Sequence, residues 1–214
     1  MKKLLVLLYI LLISNFSLAV DSEKLIKNYL DFQKNYLNEA ISFIEKNIGG
    51  PFFLYYASLI PHLPLQAPRH WVDYYRKKLG TEDPYTGKNY YPNQTPRATY
   101  AAMISTLDEQ VGEIVKKLKD LDLYENTLII FTSDNGPTYT GGADTRYFKS
   151  ARPFKTERGW SKGYLHEGGI RVPMIASWPG RIAPGTVSDH LSVFYDVMPT
   201  LCEVIGHPLP AQID

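Results

Sequence analysis

The residues of this chain best suited to handling an oxyanion or a hard cation sit in its loops. Asp134 and Asn135, adjacent in Ser133-Asp134-Asn135-Gly136, offer a carboxylate and an amide carbonyl. That pair of oxygens suits Ca²⁺ or Mg²⁺ rather than a soft metal. His62 lies in Pro61-His62-Leu63-Pro64, where an imidazole held between prolines can donate to an anionic oxygen or pass a proton. Lys162, in Ser161-Lys162-Gly163, presents a point charge beside a glycine and suits a sulfate or phosphate oxygen. Each has a plainer reading: Asp-Asn-Gly is a common turn, and a loop histidine or lysine is usually just solvated. Glu167-Gly168-Gly169 lets a neighbouring backbone come close.

These loops need elements to hold them. Phe52 to Tyr56 is an apolar and aromatic run of strand length, followed by a Pro-rich loop from Pro61 to Pro68. Thr127 to Thr132 predicts a strand buried on both faces, and Val172 to Trp178 predicts a further apolar strand before the turn Pro179-Gly180. Helical periodicity runs from Ser22 to Asn47 through Leu25, Tyr29, Phe32, Tyr36 and Ala40. It returns after the cap Thr95-Pro96 through Tyr100, Met103, Leu107, Val111, Ile114 and Leu118, and a last helix covers Val193 to Ile205. Tyr74 to Gln94 and Ser133 to Gly169 lack periodicity and are expected to be loops. The alternation predicts an α/β architecture with an open, mostly parallel sheet flanked by helices, and ligand loops beyond the carboxyl ends of its strands.

With 214 residues and 44% hydrophobic content, the chain can bury one ordinary globular core. A net charge of +1 supplies no field for nucleic acid or an anionic membrane. Met1-Lys2-Lys3, the apolar run Leu4 to Ile13 and Ser17-Leu18-Ala19 have the order of a secretory signal over 1–19, too short in its apolar part for a stable membrane anchor. Export to a secreted, periplasmic or lysosomal location follows. Residues 20–50 form a helical lead-in, and 51–214 the catalytic-type domain. Cys202 is the single cysteine, which excludes an intramolecular disulfide and a Cys-based metal site; its apolar setting predicts packing. Asn93-Gln94-Thr95 is a glycosylation sequon in a polar loop.

The order of these motifs resembles the type I, formylglycine-dependent sulfatases, specifically the arylsulfatase-like members. The matching stretches are Pro51 to Ala57 running to Pro61-His62-Leu63-Pro64, Asp108-Glu109-Gln110-Val111-Gly112, Leu128 to Gly136, Lys162 to Pro173, and Trp178-Pro179-Gly180-Arg181. The resemblance implies an alkaline-phosphatase-like sheet and hydrolysis of sulfuric esters such as aryl sulfates or sulfated glycans. It implies that Asp134 and Asn135 match later ligands of a Ca²⁺ ion, that His62 contacts the sulfate group and that Lys162 binds a sulfate oxygen. The family's nucleophile is a formylglycine made from Cys or Ser in a Cys/Ser-x-Pro/Ala-x-Arg motif. That motif is expected to be absent here, since Cys202 is followed by Glu203-Val204-Ile205, and the paired aspartates that complete the calcium site in relatives are missing too.

The chain is therefore expected to be a partial sulfatase domain, incomplete at both ends, holding half an active site and inactive alone. A different class of function is a non-catalytic secreted module that binds sulfate or a sulfated glycan through His62, Lys162 and Arg171 by charge-assisted hydrogen bonds. A metal-dependent phosphatase or phosphomutase of the wider superfamily is a third reading, against which Glu167-Gly168-Gly169 with Arg171 and Pro173 argues. Substrate identity and oligomeric state are not legible, and the loops Tyr74 to Gln94 and Tyr139 to Arg158 are candidates for the substrate rim.

Overall fold

Helix periodicity translates directly into the first element. The computed structural model describes residues 22–211, so the expected leader at 1–19 lies outside the described residues. Helix α1 runs Ser22–Lys46, with Ala40 and Ile44 buried, Ile44 at 1% exposure. Helix α3, Pro96–Asp120, packs against it and is tied to it by the ion pair between Lys117 Nζ and Glu45 Oε1 at 2.7 Å.

The run Phe52 to Tyr56 lies extended between these two helices, and burial alternates along it: Phe52, Leu54 and Tyr56 are half-buried while Phe53 and Tyr55 are 69% and 77% exposed. It pairs with no strand among the described residues, so the expected strand is present in shape and not in hydrogen bonding. Side chains hold it instead. Tyr56 stacks on Tyr36 with ring centroids 5.0 Å apart and donates its hydroxyl to Gln110 Oε1 at 3.0 Å, while Phe52 meets Phe43 edge-on at 5.9 Å.

Beyond the proline loop, α2 (Arg69–Leu79) occupies the start of a stretch expected to be loop from Tyr74 onward. Pro68 and Gly80 bound it, and its exposed face is laced by Asp73 with Arg69 and Arg76 at 3.5 and 3.6 Å. Trp71, Val72 and Tyr75 turn towards Ile60, Leu63, Leu65, Ala102 and Met103, and this cluster between the proline loop, α2 and α3 is the core. Tyr75 Oη and Ser105 Oγ, 2.8 Å apart, fix the helix pair.

The two strands among the described residues, β1 (Ile129–Thr132) and β2 (Met174–Ser177), pair antiparallel in the register Ile129↔Ser177 to Thr132↔Met174. The mostly parallel sheet expected from the alternation of elements is not among the described residues. Nor is β1 buried on both faces as expected: half-buried and exposed residues alternate along it, and Ile130 is 36% exposed. Two short helices, α4 (Thr145–Phe148) and α5 (Glu167–Ile170), interrupt the loop between the strands, and α6 (Val197–Ile205) closes the chain with Cys202 buried, as its apolar setting predicts.

Candidate active site

Immediately after β1 the chain enters Ser133-Asp134-Asn135-Gly136. Ser133 Oγ donates to the Asn135 carbonyl at 3.0 Å, and Asn135 Nδ2 donates to the Gly136 carbonyl at 2.9 Å. The second bond orients the amide and leaves Asn135 Oδ1 as the available acceptor. Asp134 is exposed and accepts a long hydrogen bond from Ser133 Oγ at 3.5 Å.

Lys162 is carried to this turn by backbone contacts. Its N–H donates to the Pro137 carbonyl at 3.1 Å, and the Gly136 N–H donates to the Gly169 carbonyl at 2.9 Å. Glycine is required for the approach: a Cβ on Gly136 would strike the Gly168 carbonyl, and one on Gly168 would strike the Lys155 and Trp160 carbonyls. The role expected for Glu167-Gly168-Gly169 as a point of close backbone approach is what these contacts display.

His62 enters from the proline loop. Its N–H donates to the Leu59 carbonyl at 2.7 Å, and its Nδ1 lies 2.8 Å from the Leu63 carbonyl. A carbonyl can only accept, so Nδ1 bears the proton and Nε2 is left for a ligand. The neighbouring Leu63 is buried against Gly141, where a Cβ would collide with its side chain, so the proline loop and the loop after β1 share a border. No hydrogen bond or ion pair joins His62, Asp134 and Lys162 directly among the described residues. Arg171 is committed elsewhere: its Nε donates to Glu167 Oε2 at 2.7 Å and its guanidinium lies over Phe154 at 5.5 Å.

A neighbouring cluster links both ends of the 139–158 loop, expected as a substrate rim, to Tyr164. Tyr139 donates to the Tyr164 hydroxyl, and Arg158 donates to the same oxygen. These two bonds hold the Tyr164 phenol below its ordinary range, the first having the larger effect. Only the aromatic and cationic character of the 139–158 loop signalled it.

Two expectations about chemistry need adjustment. Ser177-Trp178-Pro179-Gly180-Arg181 does fit the spacing Cys/Ser-x-Pro/Ala-x-Arg, so the pattern is not absent from the sequence. Its serine, however, pairs with Ile129 at the end of the ladder opposite Thr132, from which the chain enters Asp134. Three steps of strand separate those ends by about 10 Å, so Ser177 lies at the far end of the ladder from this loop cluster. As to a metal, Asp134 and Asn135 have the right oxygen chemistry, but no group of three or more His, Cys, Asp or Glu comes together among the described residues. Two donors fall short of the six to eight oxygens that calcium takes.

The comparisons with known proteins bear on this geometry. Residues 9–207 match the sulfatase family. Human arylsulfatase A is 34% identical over 167 residues, which cover 75% of this chain and 26% of that protein. The N-acetylgalactosamine-6-sulfatase of Canis lupus familiaris is 34% identical over 179 residues, covering 83% of this chain and 29% of that protein. The crystal structure of Ps i-CgsB in complex with k-i-k-neocarrahexaose superposes with a TM-score of 0.68 at 32% identity, over 83% of this chain and 35% of that one. A helix-backed chain with loops fit for an oxyanion thus has its likeness among sulfuric ester hydrolases. The chain belongs to the sulfatase family and spans roughly a quarter to a third of the length of these relatives.

Proposed function

We propose that this chain supplies the sulfate-contacting part of a sulfatase active site, acting on sulfate esters of aryl or glycan substrates, and that it does not turn over alone. The observation that supports this best is the glycine-mediated contact of the Lys162 loop with the turn holding Asn135. Lys162 would neutralise a sulfate oxygen, and His62, its Nδ1 proton fixed on Leu63, would present Nε2 to another oxygen or to the departing ester oxygen. Asp134 and Asn135 would contribute two of the oxygens of a calcium site. Arg171, its Nε bonded to Glu167, would join through the terminal nitrogens of its guanidinium. The extended Phe52 to Tyr56 segment and β1 would belong to an alkaline-phosphatase-like α/β sheet, and the leader would direct export. No helix of the described residues is long and apolar enough to cross a membrane.

The deciding experiment assays the purified chain on an aryl sulfate with and without calcium. Turnover no greater than that of His62→Ala is expected; turnover clearly above it would overturn the claim of inactivity. A non-catalytic sulfated-glycan binder is the second reading, favoured by the distance of Ser177 from the loop cluster. A coding sequence that includes a Cys/Ser-x-Pro/Ala-x-Arg motif positioned before residue 51 would decide for the enzyme.

A further inference from the structure

Between Asp144 and Lys162, basic residues recur at every third position as Arg146, Lys149, Arg152, Lys155 and Arg158, and each of these side chains is exposed. None of them forms an ion pair among the described residues, whereas Arg69, Arg97, Lys116, Lys117 and Arg171 all do. The acid interleaved with them, Glu157, keeps one carboxylate oxygen buried. In a protein whose overall charge is only +1, this is a local concentration of uncompensated cations rather than a general excess.

The segment is also built, not loose. Asp144 accepts from the Tyr147 N–H at 3.0 Å, Thr145 Oγ1 donates to the Thr156 carbonyl at 3.2 Å, and Ser161 Oγ donates to the Glu157 carbonyl at 3.3 Å. Exposed rings sit among the cations: Tyr147 and Trp160 are 44% and 40% exposed, with Lys155 Nζ 4.4 Å from the Trp160 centroid. Flat rings beside cations suit a ligand that alternates sugar faces with anionic groups. The segment ends in the Ser161-Lys162 turn, so it runs directly into the loop cluster of the candidate site.

We propose that residues 146–160 form a second anion-binding surface, distinct from Lys162 and His62, that holds the additional sulfate groups of a sulfated oligosaccharide. It rests on the sulfatase reading for the ester group itself and narrows the substrate from any sulfate ester to a polyanionic saccharide. One exposed cation binds one anion weakly, but several linked anions engage several cations at high effective concentration.

The test is titration calorimetry of the whole chain with a heparin-derived hexasaccharide, with inorganic sulfate, and with a single-stranded oligonucleotide of equal charge. The hexasaccharide is expected to bind with an affinity that falls steeply as salt is raised. The combined Arg146→Gln, Arg152→Gln and Arg158→Gln variant is expected to lose at least tenfold for the hexasaccharide with an unchanged melting temperature, whereas Lys162→Ala weakens inorganic sulfate. Undiminished hexasaccharide binding by the triple variant, or equal affinity for the oligonucleotide, would overturn the proposal. If instead Lys162→Ala leaves inorganic sulfate binding untouched, the Lys162 reading fails while the hexasaccharide result still decides this one. Should the Gln variant melt early, the single variants Arg146→Ala and Arg152→Ala, whose side chains make no hydrogen bond or ion pair among the described residues, decide by the same readout.

Discussion

At the scale of single residues, two polar side chains do structural work that their sequence context conceals. Asn93, in the sequon Asn93-Gln94-Thr95, donates Nδ2 to the Leu65 carbonyl at 3.2 Å and accepts from the Thr95 N–H at 2.8 Å and from Thr99 Oγ1 at 3.2 Å. It splices the proline loop to the start of α3, using one of its two amide hydrogens. Thr95, expected as the cap, makes no side-chain cap bond; Glu82 accepts from the Arg97 and Ala98 N–H groups instead. A cap contributed from a residue so far back in the chain has no local signature, which is why Thr95-Pro96 located the helix start while misassigning its partner. Asn93→Ala should lower stability by about 1–2 kcal/mol in urea unfolding, in the range of a lost cap.

Tyr56 supplies a pH test at the same scale. Burial, reinforced by the neighbouring Tyr36, pushes its phenol from the ordinary 10.0 up to about 12. The folded state therefore holds this proton more tightly than the unfolded chain. Its stabilising contribution is complete below pH 10 and disappears as pH rises towards about 12. Melting temperature should fall across that interval, and Tyr56→Phe, which cannot ionise, should show a shallower fall. An identical slope in the variant would exclude Tyr56 as the cause.

At the scale of elements, the legible parts were those with strong periodicity or strong punctuation. Helix α3 and the Gly-Gly approach at 168–169 belong to that group. Helix α2 was partly hidden because Pro61 to Pro68 and the Tyr- and Lys-rich residues after it look like one loop, although Trp71, Val72, Tyr75 and Leu79 have helical spacing. The run Thr127 to Thr132 announced a strand, but an apolar run cannot say which neighbours cover it or in which direction they run. The candidate site was legible by residue type and order, while the contacts that assemble it are backbone to backbone and leave no trace in side-chain chemistry. Gly168→Ala should therefore cost about 1–3 kcal/mol or more by overpacking, and should weaken sulfate binding through displacement of Lys162. Gly159→Ala, where no atom lies near but φ is +93°, serves as a comparison for backbone strain alone.

For the whole molecule, one well-filled core sits between the proline loop, α2 and α3, and the strands and α6 are packed more openly. Met103, at 0% exposure, lies in that core, and Met103→Ala should cost about 2–5 kcal/mol by thermal or urea unfolding. Calcium offers the complementary test. With two oxygen donors in place, millimolar calcium should leave the melting temperature unmoved, and a saturable rise would mean that the ligand set is fuller than Asp134 and Asn135.

The extended Phe52 to Tyr56 segment has a practical meaning for anyone handling the protein in isolation. It presents unpaired backbone and outward-facing Phe53 and Tyr55 in the geometry that templates intermolecular strand addition. Its colloidal behaviour in dilute buffer should be governed by this edge. Phe53→Lys, at a side chain 69% exposed, should reduce light scattering at high protein concentration without altering the melting temperature.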